Sequence, residues 1–182
     1  MILVTGGTGL VGAHLLYQIC QSETNVRAIK RKRSNTNFVR RVFSYYTKKA
    51  DLFFEKIEWV NADLLNIFEL DSAFQGVTKV YHCAAWISFN PKQKNKMMHT
   101  NIKGTANVVN LCLAHSIHKL CHVSSIASLG RQRDGSSTDE NTPWLNGPQN
   151  SYYALSKYHS EIEVWRGIED CLLYTSDAAD DL

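Results

Sequence analysis

The sequence contains no apolar run approaching the ~18 residues needed to cross a bilayer. Its amino terminus lacks a basic region followed by a signal-type apolar stretch, and the opening MILV is too short for either role. None of the five cysteines, Cys20, Cys83, Cys112, Cys121 and Cys171, forms a CxxC pair, and their number is odd. Scattered thiols in apolar surroundings predict buried, free cysteines in a reducing compartment. The formal net charge of +3 is small, and no Arg/Lys stripe with interleaved aromatics supports nucleic-acid binding. These absences predict a soluble, cytoplasmic protein with neither a nucleic-acid partner nor a membrane span.

What is present is globular in composition: 44% hydrophobic and 20% charged over 182 residues, enough for one domain with a core. Short apolar runs alternate with helix-period segments. Strands are predicted at 2–4, 25–29, within 57–64, at 79–85 and at 119–125. Helices are predicted after the first glycines (Leu10, Val11, Leu15, Leu16, Ile19, Cys20), as one insertion over 37–55, over 66–74 up to Gly76, and around Ile102, Ala106, Val109 and Leu113. A last helix starts near Ser151, a plausible N-cap, after a loop at 130–150 rich in Gly, Pro, Asn and Ser. Strands this uniformly apolar, alternating with helices, predict an α/β fold: a Rossmann-type doubly wound parallel sheet with helices on both faces.

The stretch TGGTGLVG at 5–12 places Gly6, Gly9 and Gly12 between the first strand and an amphipathic helix. A helix amino terminus carries unpaired N–H groups and partial positive charge, and glycines let a pyrophosphate approach that backbone. The spacing is GxxGxxG, and the strand–turn–helix context makes it a dinucleotide-binding motif. An NAD site would place a carboxylate at the end of the second strand, where this chain has Lys30, Arg31, Lys32, Arg33 and Ser34. A guanidinium attracts a 2′-phosphate that a carboxylate would repel, so NADP is preferred over NAD.

In SYYALSK at 151–157, Tyr153 and Lys157 stand at i, i+4 and share a helical face. Leu155, Tyr158, Ile162 and Trp165 cluster roughly opposite, so the tyrosine–lysine face is predicted to look away from the core, into a cleft. Tyr45 and Lys49 match the same pattern and read as surface decoration. The later pair stands out because it follows a strand whose end carries Ser124 and Ser125, and ligands in parallel sheets bind at strand carboxyl ends.

TGGTGLVG, ADL (62–64), HCAA (82–85), NIKGTANVV (101–109), VSSIASLG (123–130) and YALSK (153–157) occur in the order seen in extended short-chain dehydrogenases/reductases, also called the NAD-dependent epimerase/dehydratase family. The resemblance covers residues 1–165. It implies a Rossmann domain followed by a smaller substrate-binding part. It also implies Tyr153 as general acid/base, with Lys157 binding the nicotinamide ribose and stabilising the tyrosinate. Ser125 would hydrogen-bond the reacting carbonyl or hydroxyl, Ser124 would have a structural bond, and Asn101 would support the proton path. Gly6, Gly9 and Gly12 would take the pyrophosphate, together with Thr8, Leu10 and Val11. Arg31 would take the 2′-phosphate, Asp63 with Leu64 the adenine end, and Ala84 and Ala85 would line the cofactor's path.

Ile126 and Ala127 follow Ser125, where dehydratases place acidic residues, so the chain is similar to the reductase branch of dihydroflavonol reductases and hydroxysteroid dehydrogenases. The expected activity is hydride transfer between nicotinamide and a carbonyl or alcohol substrate. Nucleotide-sugar epimerisation and a non-catalytic NADP-sensing role are the alternatives, and the tyrosine–lysine pair disfavours the second. His115, His118 and His122 cross from a helix into a strand without a carboxylate or thiol cluster, so no metal site is expected. PKQKNK at 91–96 reads as a solvated helix start or loop that could select substrate charge. The closing CLLYTSDAADDL (171–182) carries neither the further strand nor the RP dipeptide of the family, and resembles translated sequencing-adapter read-through. The expectation is an incomplete NAD(P)-binding domain over 1–168 and a non-native or disordered tail over 169–182. The natural protein is expected to be nearly twice as long, to hold the missing substrate-binding part and to pair with a second copy of itself.

Overall fold

The structure, a computed structural model, describes residues 1–130 and 137–169. Part of the 130–150 loop, Cys171 and the predicted tail beyond Glu169 lie outside the described residues.

Five strands, β1 (Ile2–Thr5), β2 (Val26–Lys30), β3 (Ile57–Asn61), β4 (Lys79–His82) and β5 (Lys119–His122), form one parallel sheet in the order β3-β2-β1-β4-β5. The order reverses between β1 and β4, which opens a crevice at their carboxyl ends. Helices α1 (Leu10–Ser22), α2 (Asn37–Tyr46) and α3 (Ala50–Phe54) are packed into one hydrophobic layer with Ile2, Val4 and Ala28. Helices α4 (Ile67–Phe74), α5 (Lys94–Ala114) and α6 (Tyr152–Glu169) contribute to the other layer, with Leu3, Ile29 and Val80. Alternate residues of β1 therefore enter opposite cores, which is why the strand is apolar throughout.

The predicted single helix over 37–55 is two helices. The chain turns extended at Thr47 (φ −153°, ψ 147°), and the Lys49 N–H donates to the Thr47 hydroxyl at 3.1 Å. Threonine competes with the helix for backbone bonds and ends it. Tyr45 thus lies in α2 and Lys49 in the turn before α3, both exposed. The fourth and fifth strands stop at His82 and His122, short of the predicted ends. Leu10 and Val11, expected on the buried stripe of α1, are 65% and 52% exposed at its first turn.

The orientation of α6 is a second correction. Ile162 and Trp165 are 43% and 59% exposed, and Tyr158 stacks on Trp144 of the preceding loop at 4.2 Å. Ala154, Ser156, Ser160 and Gly167 are the buried small residues instead, and Asn101 of α5 donates to Ser156 at 3.0 Å. Small side chains let the two helices approach closely, whereas the large residues would hold them apart. Val164 and Ile168 supply the sheet-facing contacts.

Glycine positions give a testable contrast. Gly12 packs so tightly on the Gly6 carbonyl that a Cβ would collide with it, whereas Gly76 has φ +72° and open space around its missing Cβ. Gly12→Ala is expected to destabilise by about 2–3 kcal/mol through overpacking of backbone, and Gly76→Ala by only about 1 kcal/mol of conformational strain. Urea unfolding of both variants, compared at one pH, checks the ranking.

Candidate functional site

The glycine turn connects β1 to α1 at the crevice. Gly6 has φ +68°, and a Cβ there would stand 2.6 Å from the Ala84 nitrogen, so the turn lies directly against the segment leaving β4. Gly9 differs: it is exposed, a Cβ there would meet only the Gly6 carbonyl, at 3.2 Å, among the described residues, and it is the N-cap of α1 with no side-chain cap. The Gly9 N–H donates to Gly6 O and the Ala13 N–H to Gly9 O, both at 2.9 Å, while the N–H groups of Leu10, Val11 and Gly12 make no hydrogen bond among the described residues. By contrast, Asn66 caps α4 and the Ser151 hydroxyl accepts from the Ala154 N–H at 3.0 Å. The three glycines divide the work: Gly6 and Gly12 close the turn on itself, and Gly9 leaves the uncapped helix end open. This cradle and its free donors fit a dinucleotide pyrophosphate.

At the carboxyl end of β2, a cleft of about 590 Å³ is lined by Arg31, Lys32, Arg33 and Ser34 on one side and Ala62, Asp63, Asn66 and Glu69 on the other. Asp63 holds its own turn: its carboxylate accepts from the Leu65 N–H at 2.9 Å, and its N–H donates to Glu69 Oε2 at 3.1 Å. Leu64 serves packing, resting where Gly104 of α5 has no side chain, with its carbonyl accepting from Asn107 at 2.8 Å. Ala84 also belongs to the crevice wall, its N–H donating to the Thr5 hydroxyl at 3.2 Å, and Ala85 beside it is exposed.

On α6, Lys157 is 2% exposed, contrary to the predicted outward face, and its Nζ donates to the Val123 carbonyl at 2.8 Å just beyond β5. Burial lowers the lysine's proton affinity, opposed by Glu161 and Cys83. Tyr153, one turn earlier, is half-buried with its ring 6.4 Å edge-on to Phe89, and its hydroxyl has no hydrogen-bond partner among the described residues. Ser125 begins a 3₁₀ turn over Ile126–Ser128, and its Oγ accepts from the Ala127 N–H at 3.1 Å. That bond leaves the hydroxyl proton free to donate outward. Ser124 instead pairs with Ser128 at 3.1 Å. Asn101 is buried and fully engaged: its amide accepts from Trp86 N at 2.7 Å and donates to Trp86 O at 2.9 Å and to Ser156 Oγ at 3.0 Å.

A buried polar cluster, which sequence reading missed, lies beneath this site. His82 bridges Thr5 Oγ1 (2.6 Å) and Thr105 Oγ1 (3.0 Å), tying β1, β4 and α5 together. His122, on the neighbouring strand with its ring 5.2 Å away, has both ring nitrogens buried without a hydrogen-bond partner among the described residues. Register alone could have found the pair, since His82 and His122 are direct neighbours in the sheet. The three histidines weighed as ligands do not converge: His115 pairs with Asp71 at 2.8 Å, away from His122. Cys20 and Cys112 are buried and Cys83 is half-buried, but Cys121 is exposed on the edge strand, contrary to expectation. No helix among the described residues is long and apolar enough to cross a membrane.

Known proteins place this arrangement. Residues 2–172 match the NAD dependent epimerase/dehydratase family. The chain belongs to that family. A putative dihydroflavonol 4-reductase of Synechocystis sp. is 30% identical over 161 residues, 88% of this chain and 43% of that protein. A putative UDP-glucose 4-epimerase of Methanocaldococcus jannaschii is 30% identical over 97% of this chain and 55% of its own length. The crystal structure of gox2253 superposes with a TM-score of 0.78 at 30% identity, covering 95% of this chain and 48% of that one. The chain spans about half the length of the curated relatives it matches.

The histidine cluster predicts a pH dependence of stability. Burial holds His82 neutral well below the usual range and pushes His122 down to about 3, with Lys157 contributing to both. Below about pH 6.5 the unfolded chain binds protons that the folded chain refuses, so stability falls as pH falls. Urea unfolding should show stability falling between pH 7.5 and pH 5, with His122 alone contributing about 2 kcal/mol of the loss. His122→Phe should remove that contribution and leave a smaller pH dependence.

Proposed function

We propose that the whole protein is an NADP-preferring oxidoreductase acting on a carbonyl or alcohol substrate, with Tyr153 as general acid/base. The observation that carries this reading is the buried ammonium of Lys157, fixed on the Val123 carbonyl one helical turn from an unpartnered phenol. A fixed cation beside Tyr153 favours the phenolate electrostatically. The phenol then gives its proton to a substrate oxygen, or takes one in the reverse direction. Ser125, with its oxygen already accepting from Ala127, donates to the same substrate oxygen. Asn101 acts by position, clamping Trp86 to Ser156 and so setting α6 against the β4–α5 segment.

A bound nicotinamide supplies or accepts the hydride. The uncapped end of α1 with Gly9 holds the pyrophosphate, and Arg31, in the cleft that Asp63 borders, takes the 2′-phosphate. Lys157 is also the residue to hold the nicotinamide ribose. Hydride transfer in both directions within one pocket would give epimerisation, the second reading, which the Methanocaldococcus relative favours. The same tyrosine and lysine serve it.

NADPH is expected to quench tryptophan fluorescence at a concentration at least about tenfold lower than NADH, and Arg31→Ala to erase that difference. Equal affinities in the parent protein would remove the NADP assignment. Tyr153→Phe should lower turnover by about 10²–10⁴-fold while leaving NADPH binding unchanged, and retained turnover would exclude Tyr153 as the acid/base.

A further inference from the structure

For Ser125 and Tyr153 to address one substrate oxygen, the turn after β5 must be held in register with α6. The two are separate segments, and a small polar chain joins them. Ser128, buried at the end of the 3₁₀ turn, places its hydroxyl 2.8 Å from Glu161 Oε1 on α6, 2.6 Å from the Ser125 carbonyl and 3.1 Å from Ser124 Oγ. The hydroxyl has a single proton. The Ser125 carbonyl is already served by the Ser128 N–H at 2.9 Å. The carboxylate is the charged and therefore stronger acceptor, so the proton is directed to Glu161 and Ser124 donates in turn to Ser128. The chain of bonds runs from the strand end, through the turn, to the helix.

We propose that Glu161 is a positioning residue: through Ser128 it locks the Ser125-bearing turn against the helix that carries Tyr153 and Lys157. Its place on α6 gives it a second effect. Glu161 stands one turn beyond Lys157 and is the acidic group that counters the burial of that ammonium. The other titratable groups acting with Lys157 are His122 from β5, His82 from β4 and Cys83 just beyond it. Burial keeps both histidines neutral and pushes the Cys83 thiol up to about 11, so none of them offers the lysine a negative charge at neutral pH. The lock and the counter-charge therefore reside in one side chain, and two substitutions separate them. The consequence for catalysis rests on the acid/base reading above, but the test does not.

The experiment is hydrogen exchange and lysine NMR on the 182-residue chain. Glu161→Ala and Ser128→Ala should each speed amide exchange at Ser128 and Leu129 by about tenfold, with exchange in β1 unchanged. The double variant should be no faster than either single one, because both cut the same link. Glu161→Gln keeps an acceptor for Ser128 and should retain most of the protection. It should nevertheless lower the midpoint of the Lys157 Nζ titration by about one pH unit, a change that a purely structural role would not produce. Unchanged exchange in Glu161→Ala, additive effects in the double variant, or an unmoved Lys157 midpoint in Glu161→Gln would each overturn the proposal. None of these readouts uses turnover. Their failure would leave the acid/base reading standing, and an active Tyr153→Phe protein would leave the lock standing.

Discussion

The structure depends on one close approach, between the turn that leaves β1 and the segment that leaves β4. Gly6 takes a left-handed conformation there with the Ala84 backbone where its Cβ would be, and Gly12 brings α1 down onto the same turn. No other residue type fits, because the neighbours are backbone atoms that cannot yield. That contact puts the uncapped end of α1 at the point where strand order reverses, the one place in a doubly wound sheet where a crevice must form. The remaining features of the site are arranged around it: the basic end of β2 on one side, the serine turn after β5 and the amino end of α6 on the other.

A second constraint is the way α6 is held. Packing through serine, alanine and glycine brings it close to α5, and Ser156 and Lys157 make their polar bonds inward. Lys157 loses water and gains the Val123 carbonyl; Ser128 and Glu161 close the gap to the serine turn. Buried polar networks of this kind are stabilising only when every member is paired, and they then fix a unique arrangement. The buried ring nitrogens of His122, whose proton affinity Lys157 lowers, have no such partner among the described residues.

Much of the fold was legible because it rests on local patterns. Strand–helix alternation, the glycine turn and the serine cap at Ser151 are short-range, and each appears where the residues indicate. The failures share a cause. The inserted segment reads as one helix by apolar period, and only a threonine side chain bonding its own backbone breaks it. The apolar stripe of α6 predicts the wrong inward face because hydrophobicity was the signal, whereas close helix approach selected small residues. Cys121 reads as a core residue and is exposed on the outermost strand of the described sheet.

The sequence by itself determined the parallel doubly wound class, the glycine turn between β1 and α1, and the placing of a tyrosine and a lysine one turn apart on one helix. Those features need only residues near one another along the chain. Tertiary structure alone decided that Gly9 is the glycine left exposed at the uncapped helix end, that Lys157 is buried, that Asn101 braces Trp86, and that Glu161 reaches the serine turn. Each of these depends on which backbone lies against which across dozens of residues, and a side chain's burial and partners are properties of that packing rather than of its own chemistry.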